Sequence, residues 1–159
     1  MMSNIIRVLF VCHGNICRST MAQFVFAHLA RQKGMEELFY IDSAATSTEE
    51  LGNPVHPGTR RKLAQVGIPC GDHRARQLRR EEYDNFDLLI GMDDANLRNM
   101  RRMLGGDPDG KIHALLDYAG RAGESIADPW YTGNFDETYA DVLEGCQGLL
   151  EQLKKQSGR

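Results

Sequence analysis

Cysteine is scarce and badly spaced for a framework: four residues in 159, Cys12, Cys17, Cys70 and Cys146, with no C-x-x-C pair among them. The paired-ligand pattern of a structural zinc site is therefore missing, and no metal or other cofactor is expected. The opening MMSNIIRVLFVC lacks the small-residue cleavage pattern of a signal peptide. The expectation is a cytoplasmic protein with reduced thiols rather than a disulfide scaffold. No apolar run is long enough to span a bilayer, so membrane insertion is not expected. Nor is there a surplus of either charge, since 22 acidic and 19 basic residues leave a net charge of -3. Without a global basic field, nucleic acid is not an expected partner, and any anion site must be local. The clusters Arg60-Arg61-Lys62, Arg74 with Arg76, Arg79-Arg80 and Arg101-Arg102 read as solvated helix faces. Repeats, low-complexity tracts and linkers are also missing. At 159 residues and 42% apolar content, the chain is expected to form one domain over residues 1–159, and a monomer.

What is present alternates between strand and helix. Ile5 to Val11 is a near-continuous apolar run, suited to a parallel strand covered on both faces. A polar, Gly-containing turn follows, and from Ser19, a potential cap, Met21, Phe24, Val25 and Leu29 recur at helical spacing until Lys33-Gly34. Phe39 to Ile41 reads as a second strand, Pro57 to Val66 as a helix ending at Gly67, and Phe86 to Met92 as a third strand. Asp93 and Asp94 open a helix through Met100, Ile112 to Leu115 is a weaker fourth strand, and a long apolar stripe runs from Phe135 to Leu153. The pattern predicts an α/β, three-layer fold: a central four-stranded parallel sheet flanked by helices, with right-handed crossovers. Loops at Ser43 to Pro57, Gly105 to Gly110 and Tyr118 to Asn134 are the candidates for building a ligand site outside the carboxyl ends of the strands.

The segment Cys12-His13-Gly14-Asn15-Ile16-Cys17-Arg18-Ser19 lies where such folds bind anions, between a strand's carboxyl end and a helix N-terminus. Its N–H groups, from His13, Gly14, Asn15, Ile16, Cys17 and Arg18, can curl around a phosphate, with the helix dipole adding partial positive charge. A thiol in that setting has reason to ionise and act as a nucleophile. Arg18 can engage two phosphate oxygens with its planar fork, a geometry that lysine cannot supply. Gly14 permits close approach of the backbone, Asn15 tolerates a left-handed conformation, and the Ser19 hydroxyl can hydrogen-bond the Cys12 sulfur. Cleaving a phosphoester also requires an acid for the leaving oxygen, and neither Cys12 nor Arg18 can serve at neutral pH.

The string VLFVCHGNICRST resembles the C-x5-R-S/T phosphate loop of the low-molecular-weight protein tyrosine phosphatases, and the likeness continues through Asp42-Ser43-Ala44-Ala45, Phe86-Asp87, Met92-Asp93, Asn96-Leu97 and Asp128-Pro129-Trp130-Tyr131. The resemblance implies Cys12 as nucleophile, Arg18 as phosphate clamp and Asp128 as general acid and base, with Pro129 stiffening its loop. It implies an aromatic wall from Trp130 and Tyr131 for aryl phosphates, and support for the Asn15 conformation from Ser43 and His73. It also implies a protective Cys12–Cys17 disulfide. Implied partners are phosphotyrosine proteins and peptides, with inorganic phosphate and other oxyanions as inhibitors. Two positions depart from the commoner pattern: His13 beside the nucleophile, and Glu49 where many relatives carry a tryptophan. A carboxylate there disfavours acidic peptides and favours basic flanks. Two other activities share the loop. Protein arginine phosphatases of the same family carry threonine at the position of Ile16, and arsenate reductases need two further cysteines close in sequence, which Cys70 and Cys146 are not.

Overall fold

The computed structural model describes residues 5–157; the ends of the domain assigned to residues 1–159 lie outside the described residues. Four strands, β1 (Ile6–Cys12), β2 (Phe39–Ala45), β3 (Leu88–Gly91) and β4 (Ile112–Ala114), form one parallel sheet in the order β2-β1-β3-β4. β1 is central, and its alternating side chains feed two separate cores, as a strand buried on both faces requires. Val8, Phe10 and Cys12 join one cluster with α1 (Arg18–Gln32), α2 (Pro57–Gln65) and α6 (Phe135–Gln156). Leu9 and Val11 join the other with Tyr83 of α3 (Glu82–Asn85) and Met100 and Leu104 of α4 (Asp94–Leu104). The remaining helix is α5 (Pro129–Thr132).

The expected three-layer α/β architecture is therefore present, with differences at the element ends. β2 extends to Ala45 rather than stopping at Ile41, because Asp42 to Ala45 pair in register with Leu9 to Cys12. β3 begins at Leu88, since Phe86 and Asp87 only lead into it, and β4 ends at Ala114, where Leu115 opens a 3-10 turn. Ser19 does not cap α1. The helix begins at Arg18 with Cys17 at the cap position, and the Ser19 hydroxyl is committed elsewhere. The loop Gly105 to Gly110 is not at the carboxyl ends of the strands. It feeds the amino end of β4, where Asp107 accepts hydrogen bonds from Tyr83 Oη and from the N–H groups of Lys111 and Ile112.

The register places the site. Cys12 is the last residue of β1, level with Ala45 of β2, and Val11 is level with Gly91 of β3. The segments leaving β1, β2 and β3 thus emerge side by side. The segment after β4 is drawn to the same end by Ile126 N–H, which donates to Met92 O at 2.9 Å.

Candidate active site

Between Cys12 and Arg18 the chain must reverse around its own N–H groups, and one residue takes the strain: Asn15, at φ 59°, is the non-glycine residue with positive φ among the described residues. That conformation is tolerated by Asn better than by most side chains, and here its fully buried amide is bonded at both its nitrogen and its oxygen. Nδ2 donates to Ser19 Oγ at 2.7 Å, while Oδ1 accepts from His73 Nε2 at 2.8 Å and from Arg76 N–H at 3.2 Å. Because Asn15 Oδ1 can only accept, His73 carries its proton on Nε2. Ser43 Oγ shares that proton at 3.2 Å and donates to Gln23 Oε1 at 2.5 Å. Burial, with Arg76, lowers the His73 pKa below its usual 6.5 against the opposing pull of Asp42. The shift favours the neutral ring, whose single proton on Nε2 serves both acceptors.

The sign of this shift gives a stability prediction. Above pH 6.5 the ring is neutral both folded and unfolded; below it the unfolded chain takes the proton first, so stability is lost as pH falls. Urea midpoints should drop between pH 7 and pH 5, and His73→Gln, which keeps an amide donor but cannot titrate, should flatten that slope. An identical slope in the variant would show that the ring does not titrate in this window.

Cys12 Sγ lies 3.1 Å from Ser19 Oγ and 3.3 Å from Asn15 N. Since Ser19 Oγ accepts from Asn15, its own proton is free to point at the sulfur. Cys17, also on the loop, is different: burial, then the neighbouring Cys12 and Asp128, push its thiol up to about 12, against Arg18 and a hydrogen bond from Thr59. It stays protonated at neutral pH.

Arg18 is almost wholly buried. Nη1 donates to Asp93 Oδ2 at 2.7 Å and to Ile126 O at 2.9 Å, and Nη2 lies 3.4 Å from Asp128 Oδ2. Burial opposes its charge, but Cys12, Asp93 and Asp128 more than offset this and hold the guanidinium above the ordinary arginine range. Asp93 does two things at once. Oδ1 caps α4 by accepting Asn96 N–H at 2.7 Å, and Oδ2 anchors Arg18. Sequence reasoning found only the cap. Asp128 is itself an N-cap, of α5, accepting Trp130 N–H on Oδ1 at 3.0 Å, which leaves Oδ2 facing Arg18.

One cleft of about 80 Å³ opens here, with Cys12, Gly14, Ile16 and Cys17 at its base, and His13, Asp128, Trp130, Tyr131, Glu49 and Glu50 around its mouth. Of the residues expected at the phosphate loop or the substrate wall, all but Asn15 and Arg18 line it: the Asn15 amide turns behind the loop to Ser19, and Arg18 approaches through Nη2 beside Asp128. Ser19, Ser43 and His73 lie behind the loop. His13 Nε2 pairs with Glu49 Oε2 at the rim, so the two departures from the commoner pattern meet each other. Glu50 was not anticipated; it packs against Gly14, where an added Cβ would stand 3.3 Å from Glu50 Cγ. Arg76 was expected on a solvated face and is not there: its guanidinium is held between Asp42 and buried Glu82. A larger groove, about 950 Å³, lies at the amino ends of the strands beside Arg7, Asp87 and His113 and contains none of the expected site residues.

The profile of a family described as "Low molecular weight phosphotyrosine protein phosphatase" matches residues 7–159. The chain is 41% identical over 152 residues to the low molecular weight protein-tyrosine-phosphatase YfkJ of Bacillus subtilis, covering 95% of this chain and 97% of that one. The YfkJ crystal structure superposes with a TM-score of 0.91 over 96% of both chains. The human low molecular weight phosphotyrosine protein phosphatase is 37% identical over 149 residues, 91% of this chain and 94% of that one. A Drosophila arginine phosphatase has the same fold at 30% identity, with a TM-score of 0.83 over 92% of this chain and 97% of that one.

Proposed function

The chain belongs to the low molecular weight phosphotyrosine protein phosphatase family, a family of hydrolases, and we propose that it hydrolyses phosphotyrosine in proteins and peptides through a phosphocysteine on Cys12. The observation that carries this reading is the convergence of Cys12 and Asp128 on one cleft with the Arg18 guanidinium between Asp93 and Asp128. In the first step the Cys12 thiolate attacks phosphorus, the P–O bond breaks, and Asp128 gives its proton to the departing phenolate oxygen. In the second, Asp128 as carboxylate takes a proton from water, whose oxygen attacks phosphorus; the S–P bond breaks and thiolate and phosphate leave. Ser19 Oγ–H and Asn15 N–H, both aimed at Sγ, stabilise the sulfur's negative charge before and after. Arg18 and the loop amides hold the equatorial oxygens throughout, so the chemistry needs no metal.

Trp130 and Tyr131, 57% and 81% exposed, stand free to flank an aryl ring at the mouth, while Glu49 and Glu50 repel acidic flanking residues. Free phosphate and other oxyanions compete for the loop. Cys17, the second loop thiol on the cleft, is the partner for a protective disulfide with Cys12. The arginine phosphatase reading draws on the Drosophila neighbour, but Ile16 gives the cleft base an apolar side chain suited to an aryl stem. A reductase relay gains nothing from Cys146, which is wholly buried in the core with its thiol pushed up by that burial. The chain is read as one monomeric catalytic domain acting in the cytoplasm; no described helix is long and apolar enough to cross a membrane.

The test is one peptide presented with phosphotyrosine, phosphoserine or phosphoarginine. Phosphotyrosine should lead in kcat/KM by on the order of 100-fold, because only its ring fills the space between Cys12 and the aromatic wall. Faster turnover of phosphoarginine would replace this reading with the second one.

A further inference from the structure

His56, between β2 and α2, takes no part in the chemistry above, yet it touches two parts of the site and two of the helices behind it. Its backbone N–H donates to Ile16 O at 2.9 Å, tying it to the phosphate loop. Its Nδ1 accepts Gly58 N–H at 2.9 Å and caps α2, which fixes the neutral ring with its proton on Nε2. The ring stacks on Phe135 of α6, centroids 5.4 Å apart at 22°, and stands edge-on to Trp130, 5.7 Å away at 78°. Gly58 passes so near the Phe135 ring that a Cβ there would overlap it, so His56 is wedged against a fixed surface.

Trp130 matters because its backbone N–H is the donor that orients the Asp128 carboxylate. Upstream, the acid segment is pinned by Ile126 N–H to Met92 O and by Thr138 Oγ1 to Ala127 O at 3.1 Å. Downstream it depends on α5, a four-residue helix too short to hold itself. We propose that His56 is the positioning residue of the acid: its ring seats the Trp130 indole, and thereby the N–H that aims Asp128 at the leaving oxygen. Protonation of Nδ1 removes the acceptor for Gly58 N–H, so it loosens the seat without removing the ring that forms it. The charged groups facing it are Arg61 of α2, which with burial disfavours the proton, and Glu50 and Asp128, which favour it; the net shift is below the usual 6.5.

The inference rests on Asp128 being the acid, and the experiment separates the two. His56→Asn keeps a side-chain acceptor for Gly58 but removes the ring. It should lower kcat on phenyl phosphate about 10-fold, as small misplacements of reacting groups do, with little change in KM and a much smaller loss on p-nitrophenyl phosphate, whose leaving group needs less acid help. His56→Phe, which restores a ring without the acceptor, should recover most of that loss. Trp130 is the sole tryptophan, so its emission should fall as His56 protonates below pH 6.5, and that titration should vanish in both variants. Equal losses on the two substrates, no recovery with Phe, or an emission curve indifferent to His56 would each overturn the proposal. Asp128→Asn is run beside them: if it shows no leaving-group dependence, the acid assignment itself has failed. If it does and His56→Asn does not, only the positioning role has.

Discussion

Cys12→Ser should leave a folded protein with turnover reduced on the order of 10⁵-fold or more, the scale on which loss of a nucleophile is felt when the rest of the machinery depends on it. A serine hydroxyl at that position can still accept from Asn15 N–H and exchange a hydrogen bond with Ser19, so the loop loses no partner. What disappears is the sulfur nucleophile itself, and with it a group that can leave phosphorus in the second step. Cys17 cannot take over, because its thiol, at about 12, is protonated across the working range. In the proposed mechanism the oxyanion is held by different atoms, the loop amides and Arg18, so its binding should survive. Millimolar phosphate should raise the melting temperatures of variant and parent alike, by binding only the folded state. A variant that retained hydrolysis within tenfold of the parent would remove Cys12 from the mechanism. One that lost both activity and the phosphate shift would show only that the loop had collapsed.

How much of this was legible before the structure depended on distance along the chain. The β1–loop–α1 unit is contiguous, and its chemistry follows from a strand end, a glycine, an arginine and a helix start within eight residues. Asp128 stands 110 residues from Arg18, and nothing local distinguishes it from a turn carboxylate before proline; only the resemblance connected it. Asp93 was visible as a cap and invisible as an anchor, because the second role exists only once β1 and β3 are adjacent and both chains leave the sheet at the same end. His56 gave no signal, since its partners come from α2, α5 and α6. The helices α3 and α5, four residues each, are too short to carry a periodicity. Ser19 has two readings in the sequence, a helix cap and a partner for the Cys12 sulfur, and the structure has the second: its hydroxyl sits beside a buried sulfur and a buried amide rather than at the helix end.

The second large effect is expected at Arg18. Arg18→Lys keeps the charge and should still lower kcat by about 1000-fold, within the range for removing a clamp on a transferring phosphoryl group. The reason is the division of labour across the guanidinium. Nη1 is spent on Asp93 and Ile126 O, and that fixture is what holds the rest of the fork toward the cleft. An ammonium group has no second, rigidly offset nitrogen: it either satisfies Asp93 or reaches the phosphate, and the buried pairing with Asp93 is the nearer choice. Asp93→Asn tests that account from the other side. Its side-chain oxygen can still accept Asn96 N–H, so α4 keeps its cap and the melting temperature should barely move. The charge holding Nη1 is gone, however, and kcat should fall by about tenfold. If Asp93→Asn were silent in kcat while Arg18→Lys remained severe, the clamp would work without its anchor. If Arg18→Lys were also mild, charge alone would suffice, and the bidentate geometry that separates arginine from lysine would play no part in the reaction.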